Sequence, residues 1–297
     1  MRKRTLLIIL VLLLLGIPSH PSAQFNSYWN QGKAEITSYI LRQARYGEIH
    51  EGHAVLVFVT EDFSSTRHVK LDNPKKIGEN AERILKCNRV KKFLTGVYPY
   101  SMMVSTFTPV NYSTYPFTWK TSMSSQEWCG HTFTQLNRRS NRYAVHTYSY
   151  FETERDQTYE LEDALLEEDI WNRIRIDPNG LPMGKVKMIP GTMASRTLHF
   201  KLGVEDALIS IDESKAEGIS HYRIEYPRIG RILTIHFKKT FPHEIIGWEE
   251  SYVSGWGTSA QRLTTTAVRK KTILMDYWTR HRNSHRSQRA LLELPLQ

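Results

Sequence analysis

Cysteine is nearly absent from this chain: 297 residues contain two, Cys87 and Cys129. That excludes the disulfide-dense scaffolds that small secreted domains use in place of a large core. With no Cys-x-x-Cys pair, the common thiolate zinc and thioredoxin-like redox motifs are excluded too. A glycine-rich phosphate loop and a Gly-x-Ser-x-Gly nucleophile elbow are also missing. His50 and His53, either side of Glu51 and Gly52, are three residues apart where a helical metalloprotease motif needs four, and on a strand they would point to opposite faces. No metal-ligand set and no cofactor is therefore expected. One long apolar run occurs, Leu6 to Leu15, shorter than the ~20 residues of a membrane-spanning helix. No cysteine follows it, which argues against an acylated lipoprotein terminus.

What is present at the start has the pattern of an export signal. Arg2, Lys3 and Arg4 precede the apolar run, and Gly16, Ile17, Pro18, Ser22 and Ala23 supply a small-residue exit. Residues 1–23 are expected to be a signal peptide that directs the chain to the periplasm or cell envelope, with an uncleaved anchor as the alternative because Pro21 sits three before the cut. The formal charge is +10 at pH 7, and 40 Lys and Arg less the three in this segment leaves 37 against 30 Asp and Glu. An exported basic chain meets anionic lipid or acidic glycans first, so nucleic acid is not the expected partner. An oxidising compartment also permits a Cys87–Cys129 bridge closing a loop of about 43 residues, worth about 4 kcal/mol on the chain-entropy estimate. The alternative is two separate buried thiols.

The body of the chain reads as β. Ala34 to Leu41 and His53 to Val59 predict two strands, with Gly47 and Gly52 marking the turn region between them. The unbroken run Ala54 to Val59 predicts a central strand covered on both faces. Residues 64–80 read as a long connection. A hairpin is expected over 131–151, turning at Arg138 to Asn141, and another over 222–237, turning at Pro227 to Gly230. Leu161, Leu165, Leu166, Ile170, Trp171 and Ile174 fall at helical spacing, with acids early and Arg173 and Arg175 late, so a helix over about 161–175 is expected, ending before Asp177-Pro-Asn-Gly. Its six acids between Glu160 and Asp169 read as a wet face. The expected architecture is mainly β: a curved antiparallel sheet or open β-barrel with one packed helix, in a single domain over 24–278. Two β subdomains joined at the helix are the alternative. A basic tail over 279–297, with Arg280, Arg282, Arg286 and Arg289, reads as a solvated, poorly ordered end or as an anchor to an anionic surface.

The most enzyme-like stretch is Ser125-Gln-Glu-Trp-Cys-Gly-His131. On a strand, Glu127, Cys129 and His131 would share a face, but residues two apart lie about 6.5 Å from each other and a base must come within about 3.2 Å of its nucleophile. Cys129 and His131, with Glu127, are thus a thiol-enzyme candidate only if the chain bends at Gly130. Tyr98 and Tyr100, with Trp128, Trp248 and Trp256, are the candidate lining of a ligand groove, or else core.

Tyr98-Pro-Tyr-Ser-Met-Met103, the Ser124-Ser-Gln-Glu-Trp-Cys-Gly-His131 block, Leu181-Pro182 and the helix carrying Trp171 together resemble uncharacterised secreted bacterial envelope proteins sometimes labelled "septum formation inhibitor Maf". The chain does not resemble genuine Maf nucleotide pyrophosphatases, which carry an N-terminal Ser-x-Ser-x-Arg type loop. Met193 to Arg196 echo that loop only in a β-like region far along the chain. The resemblance implies an exported envelope protein and transfers no catalytic residue. The expected function is non-catalytic binding of an amphipathic envelope component, such as a lipid, or of a partner protein. The alternative is a hydrolase, either a Cys129/His131 thiol enzyme or a nucleotide pyrophosphatase as the label suggests.

Overall fold

The computed structural model describes residues 22–73, 75, 80–214 and 218–295. The segment expected to be the export signal lies almost entirely outside them. The described chain opens with a short helix α1 (Ala23–Trp29), whose N-cap Ser22 side chain accepts from the Phe25 amide at 3.0 Å. The strands that follow are β1 (Ala34–Arg45), β2 (Glu48–Ser64), β3 (Ala81–Thr95), β4 (Tyr98–Pro109), β5 (Lys120–Glu127), β6 (Gly130–Arg139), β7 (Arg142–Ser149), β8 (Gln157–Glu162) and β9 (Leu165–Leu166). Helix α2 (Glu167–Ile176), β10 (Gly184–Ile189) and helix α3 (Thr192–Leu198) come next. Then follow β11 (Glu205–Ser214), β12 (Ile219–Tyr226), β13 (Arg231–Lys238), β14 (Ile245–Ser254) and β15 (Gln261–Met275).

These strands form one sheet in the order β8-β7-β6-β5-β4-β3-β2-β1-β15-β14-β13-β12-β11-β10-β9. Every neighbouring pair is antiparallel except β9 with β10. The chain therefore starts at the centre, meanders to one edge, crosses under the sheet as α2, and meanders back from the other edge until β15 pairs with β1. Short hairpins carry almost every step, as expected where successive strands alternate polar and apolar residues and end in turn-forming residues. The sheet is not a closed barrel, since no ladder joins β8 to β9 among the described residues. Side chains bridge that gap instead: Leu136, Tyr143 and Val145 from one edge pack with Leu166, Ile189 and Leu202 from the other. One core cluster and one sheet include residues from both halves of the chain.

The expected central strand is β2, seventh of the fifteen in order. Its inward residues Ala54, Leu56 and Phe58 join the main core, while Val55 and Val57 face outward. Their cover is the C-terminal segment, where a 3-10 helix over Asn283–Leu292 lays Leu292 and Leu294 against Ala34, Ile36 and Val59. The Ser38 hydroxyl donates to the Leu292 carbonyl at 2.6 Å. The segment is thus anchored at its end by Leu292 and Leu294, whereas most of residues 279–291 are solvent-exposed, so the expectation of a solvated end is corrected only at that anchor. The reason is that a strand apolar on both faces needs a second layer. Of the tail arginines, Arg280 forks onto Asp276 at 3.1 and 3.2 Å, and Arg289 donates to the Pro295 carbonyl. Gly52 does not turn the chain but lies inside β2, so the turn is made by Tyr46 and Gly47 at φ 57° and 79°.

Two expectations about the helix fail. Residues 157–162 form the strand β8, whose alternating half-buried and exposed residues outcompete the helical spacing of Leu161 and Leu165. Of the six acids, Glu167, Glu168 and Asp169 are buried, not wet. Helix α2 lies inside the curve of the sheet, so its polar face meets the inward face of the strands and its charges find partners there. The Arg231 guanidinium donates to both oxygens of Glu167 at 2.5 and 2.8 Å and to Glu250 at 2.7 Å. Glu168 accepts from the Thr192 amide and hydroxyl at the start of α3, at 2.6 and 2.7 Å. Asp169 accepts from Thr108 and Thr118, and Arg175 forks onto Glu35 at 2.5 and 2.6 Å. Burying a charge unpaired would cost several kcal/mol, so these pairs lock the helix in one register.

Candidate functional site

Several hairpin turns meet at one rim of the sheet. Tyr46 comes from the β1–β2 turn, Tyr98 and Tyr100 from the start of β4, Trp128 and Cys129 from the β5–β6 turn, and Trp256 from the β14–β15 connection. The β1–β2 and β14–β15 turns interlock where Gly255, at φ 90°, lets its backbone approach that of Gly47 to within what would be 3.0–3.1 Å of any Cβ. The aromatic rings then fall into one cluster. Tyr46 lies 5.5 Å from Trp256 and 6.4 Å from Tyr100, and Tyr98 lies 5.9 Å from Tyr100 and 6.4 Å from Trp128. Three phenols are linked, with Tyr46 Oη 2.5 Å from Tyr100 Oη and 3.1 Å from Tyr98 Oη. Burial and the bond to Tyr46 raise the Tyr100 phenol well above its ordinary pKa.

Beneath these rings lies Arg45, 6% exposed. Its guanidinium carbon sits 4.3 Å from the Tyr46 ring, 5.6 Å from Tyr100 and 5.8 Å from Trp256, an aromatic cage of cation–π type. Nη1 donates to the Thr197 carbonyl at 2.6 Å, and Nη2 approaches His199 Nε2 at 3.3 Å. No carboxylate pairs with Arg45 among the described residues, and its Nε has no hydrogen-bond partner. Buried guanidinium groups are ordinarily paired.

Helix α3 supplies the other wall. His199, its C-cap residue, holds the left-handed conformation at φ 56°, a strained state for a residue with a Cβ. This aims the imidazole between Arg45 and Glu154, whose carboxylate lies 2.8 Å from Nδ1. Arg196 Nη1 also approaches Nδ1 at 3.3 Å; with the proton on Nδ1 the ring donates to Glu154 and Nε2 accepts from Arg45. Arg196 spans two carboxylates, Glu154 at 3.0 Å and Glu127 at 3.5 Å, and stacks 4.4 Å from Phe151. Burial pushes the Glu154 carboxyl up, but the His199 bond and the Arg196 charge outweigh it, so the group is held below its ordinary value. Alongside runs a cleft of about 120 Å³ whose lining includes Met123, Phe200 and Leu202 and, on its polar side, Thr134, Gln157 and Lys201.

The site residues expected from the sequence divide here by position. Tyr98, Tyr100, Trp128 and Trp256 converge at the rim. Trp248 does not: it is buried 4.9 Å from Tyr39 and 5.3 Å from Trp171 of α2, and serves as core. Glu127, Cys129 and His131 do not share a face either. Glu127 pairs with Gly130, so Trp128 and Cys129 form the tight turn itself and strand alternation does not run through them. Buried Glu127 accepts from the Cys129 amide at 2.6 Å and is ion-paired with Arg196 at 3.5 Å, whereas His131 pairs with Gln126 on the outer face. The Cys129 thiol is exposed, and the Glu127 carboxylate raises its pKa. A thiol nucleophile needs the reverse environment.

Both cysteines are free. Cys87 lies mid-strand opposite Thr106 of β4, and the Cys129 turn lies beyond the Ser101–Gln126 pair, so at about 3.3 Å per residue they are separated by roughly 20 Å. A disulfide requires Cα atoms within about 7 Å, so the bridge is excluded. Met193 to Arg196 belong to a helix, not a strand. Arg45, Glu154, Arg196 and His199 are invisible to sequence reasoning, because they carry no motif and 154 residues separate Arg45 from His199.

Compared with protein-family models, with curated proteins and with solved structures, the chain matches none. Among the described residues no helix is long and apolar enough to cross a membrane.

Proposed function

We propose that this is an exported, non-catalytic cell-envelope protein that binds an amphipathic envelope component at the aromatic rim. The observation that carries this reading is Arg45: a buried cation with no carboxylate partner among the described residues, capped by Tyr46, Tyr100 and Trp256 and in contact with His199, which lines the neighbouring cleft. An acidic or strongly polar head group would find Arg45 and Lys201, while its apolar part would meet Trp128, Trp256, Met123 and Phe200. The concave interior is filled by α2 and its ion pairs, so the binding surface is the rim and not a central tunnel. Trp128 and Trp256 are 71% and 60% exposed, which suits residues awaiting a partner better than core.

Native mass spectrometry of protein purified from the envelope fraction tests this. The unaltered chain is expected to retain a bound component that Trp128→Ala/Trp256→Ala loses while keeping its thermal midpoint. A chain that emerges from the envelope with no adduct, or a variant that retains it, overturns the rim assignment. N-terminal sequencing of the same material is expected to begin at Gln24.

A further inference from the structure

A second polar cluster lies on the outer face of the opposite half of the sheet, away from the rim. His221 on β12 and His236 on β13 are directly paired across the ladder, and their Nδ1 atoms are 2.7 Å apart. At that separation one ring donates and the other accepts. Glu249 lies 4.0 Å from His236 Nε2, outside hydrogen-bond distance but on the side of that nitrogen; with the proton there, His236 Nδ1 is the acceptor and His221 the Nδ1–H donor. Asp212 of β11 is the exposed cross-strand neighbour of His221, completing a row Asp212, His221, His236 on one face.

We propose that His221 and His236 form a two-imidazole site for a divalent transition metal of square-planar preference, of the Cu(II) or Ni(II) type. Bonds of about 2.0 Å meeting at 90° place cis nitrogens about 2.8 Å apart, whereas a tetrahedral ion would need about 3.3 Å. The 2.7 Å of the hydrogen-bonded pair is close to the first value, so a modest rotation of each ring would turn both Nδ1 lone pairs onto one ion. Ligation moves one proton within His221, from Nδ1 to Nε2 through solvent, with no net release. In the Nε2-protonated tautomer His236 Nδ1 is the unprotonated nitrogen, with the Glu249 carboxylate 4.0 Å from its Nε2. Among the described residues no three His, Cys, Asp or Glu side chains form a ready-made cage, so the remaining positions are taken by water, with Asp212 the cross-strand carboxylate beside His221.

The test is Cu(II) titration of the untagged chain, followed by electron paramagnetic resonance. One equivalent is expected to bind with hyperfine coupling from two nitrogens. His221→Gln and His236→Gln are each expected to weaken it at least tenfold and remove one coupled nitrogen, while His281→Gln/His285→Gln in the C-terminal segment leaves it unchanged. In the unaltered chain Cu(II) should also shield His221 and His236 from diethylpyrocarbonate, a readout independent of how the variants fold. Two-nitrogen coupling that survives either single substitution, or no shielding at one equivalent, overturns the site.

Discussion

Replacing Arg231 by methionine is expected to destabilise the protein more than any surface change, and the structure sets the size of the effect. Arg231 is 2% exposed and donates to both oxygens of Glu167 and to Glu250. Methionine fills much of the same volume but leaves Glu167 as a buried carboxylate without a counter-ion, while Glu250 keeps Lys91 at 3.4 Å. Removing one partner of a buried pair typically costs 3–5 kcal/mol, most of it the desolvation of the charge left behind. With a urea slope of roughly 3 kcal/mol/M, the unfolding midpoint should fall by about 1 to 1.7 M. Arg231→Met/Glu167→Gln removes the stranded charge and should recover at least half of that loss. Urea denaturation followed by circular dichroism measures the parent, Arg231→Met, Glu167→Gln and the double variant. If Arg231→Met lies within about 1 kcal/mol of the parent, or the double variant is as unstable as the two single losses added, then the ion pairs do not hold α2 in place and the reasoning fails.

Four further outcomes follow from the same contacts. Gly191→Ala places a Cβ 2.5 Å from the Glu167 carboxylate and should cost about 1–3 kcal/mol by displacing it from Arg231, read as a lowered thermal midpoint. Acid should unfold the chain. Burial raises Glu250, but Arg231 and Lys91 outweigh it and hold it at about 2, and Glu244 is likewise held at about 2 by Lys238, Thr272 and Arg269. Their stabilisation is complete above the ordinary carboxyl value of about 4.3 and is lost as the pH falls toward 2, so a flat stability between pH 5 and 2 would contradict it. Thiol titration of the native protein should find one fast group, Cys129, and a second only after denaturation, because burial pushes Cys87 up to about 12. Leu292→Ala/Leu294→Ala should lose roughly 2–4 kcal/mol, against no measurable loss if the C-terminal segment were free in solvent.

The sequence alone determined what depends on neighbours along the chain. Period-two alternation predicts the β hairpins and their turns, the run Ala54 to Val59 places β2 at the centre, and acids before arginines mark the polarity of α2. The absent motifs narrow the chemistry in the same local way. Tertiary structure alone decided everything that depends on which surfaces meet. Glu167, Glu168 and Asp169 read as a wet face because no local pattern announces that Arg231, 64 residues away, will cover Glu167. Leu292 and Leu294 lie in a segment that reads as a tail, and only the outer face of β2 shows why they must cover it. Cys87 and Cys129 could pair by loop length, but the sheet sets them at different heights along its strands. Trp248 and Trp256 carry the same side chain eight residues apart, yet one lies against α2 and the other at the rim beside Arg45. Strand pairing decides which face and which end of the sheet each one occupies.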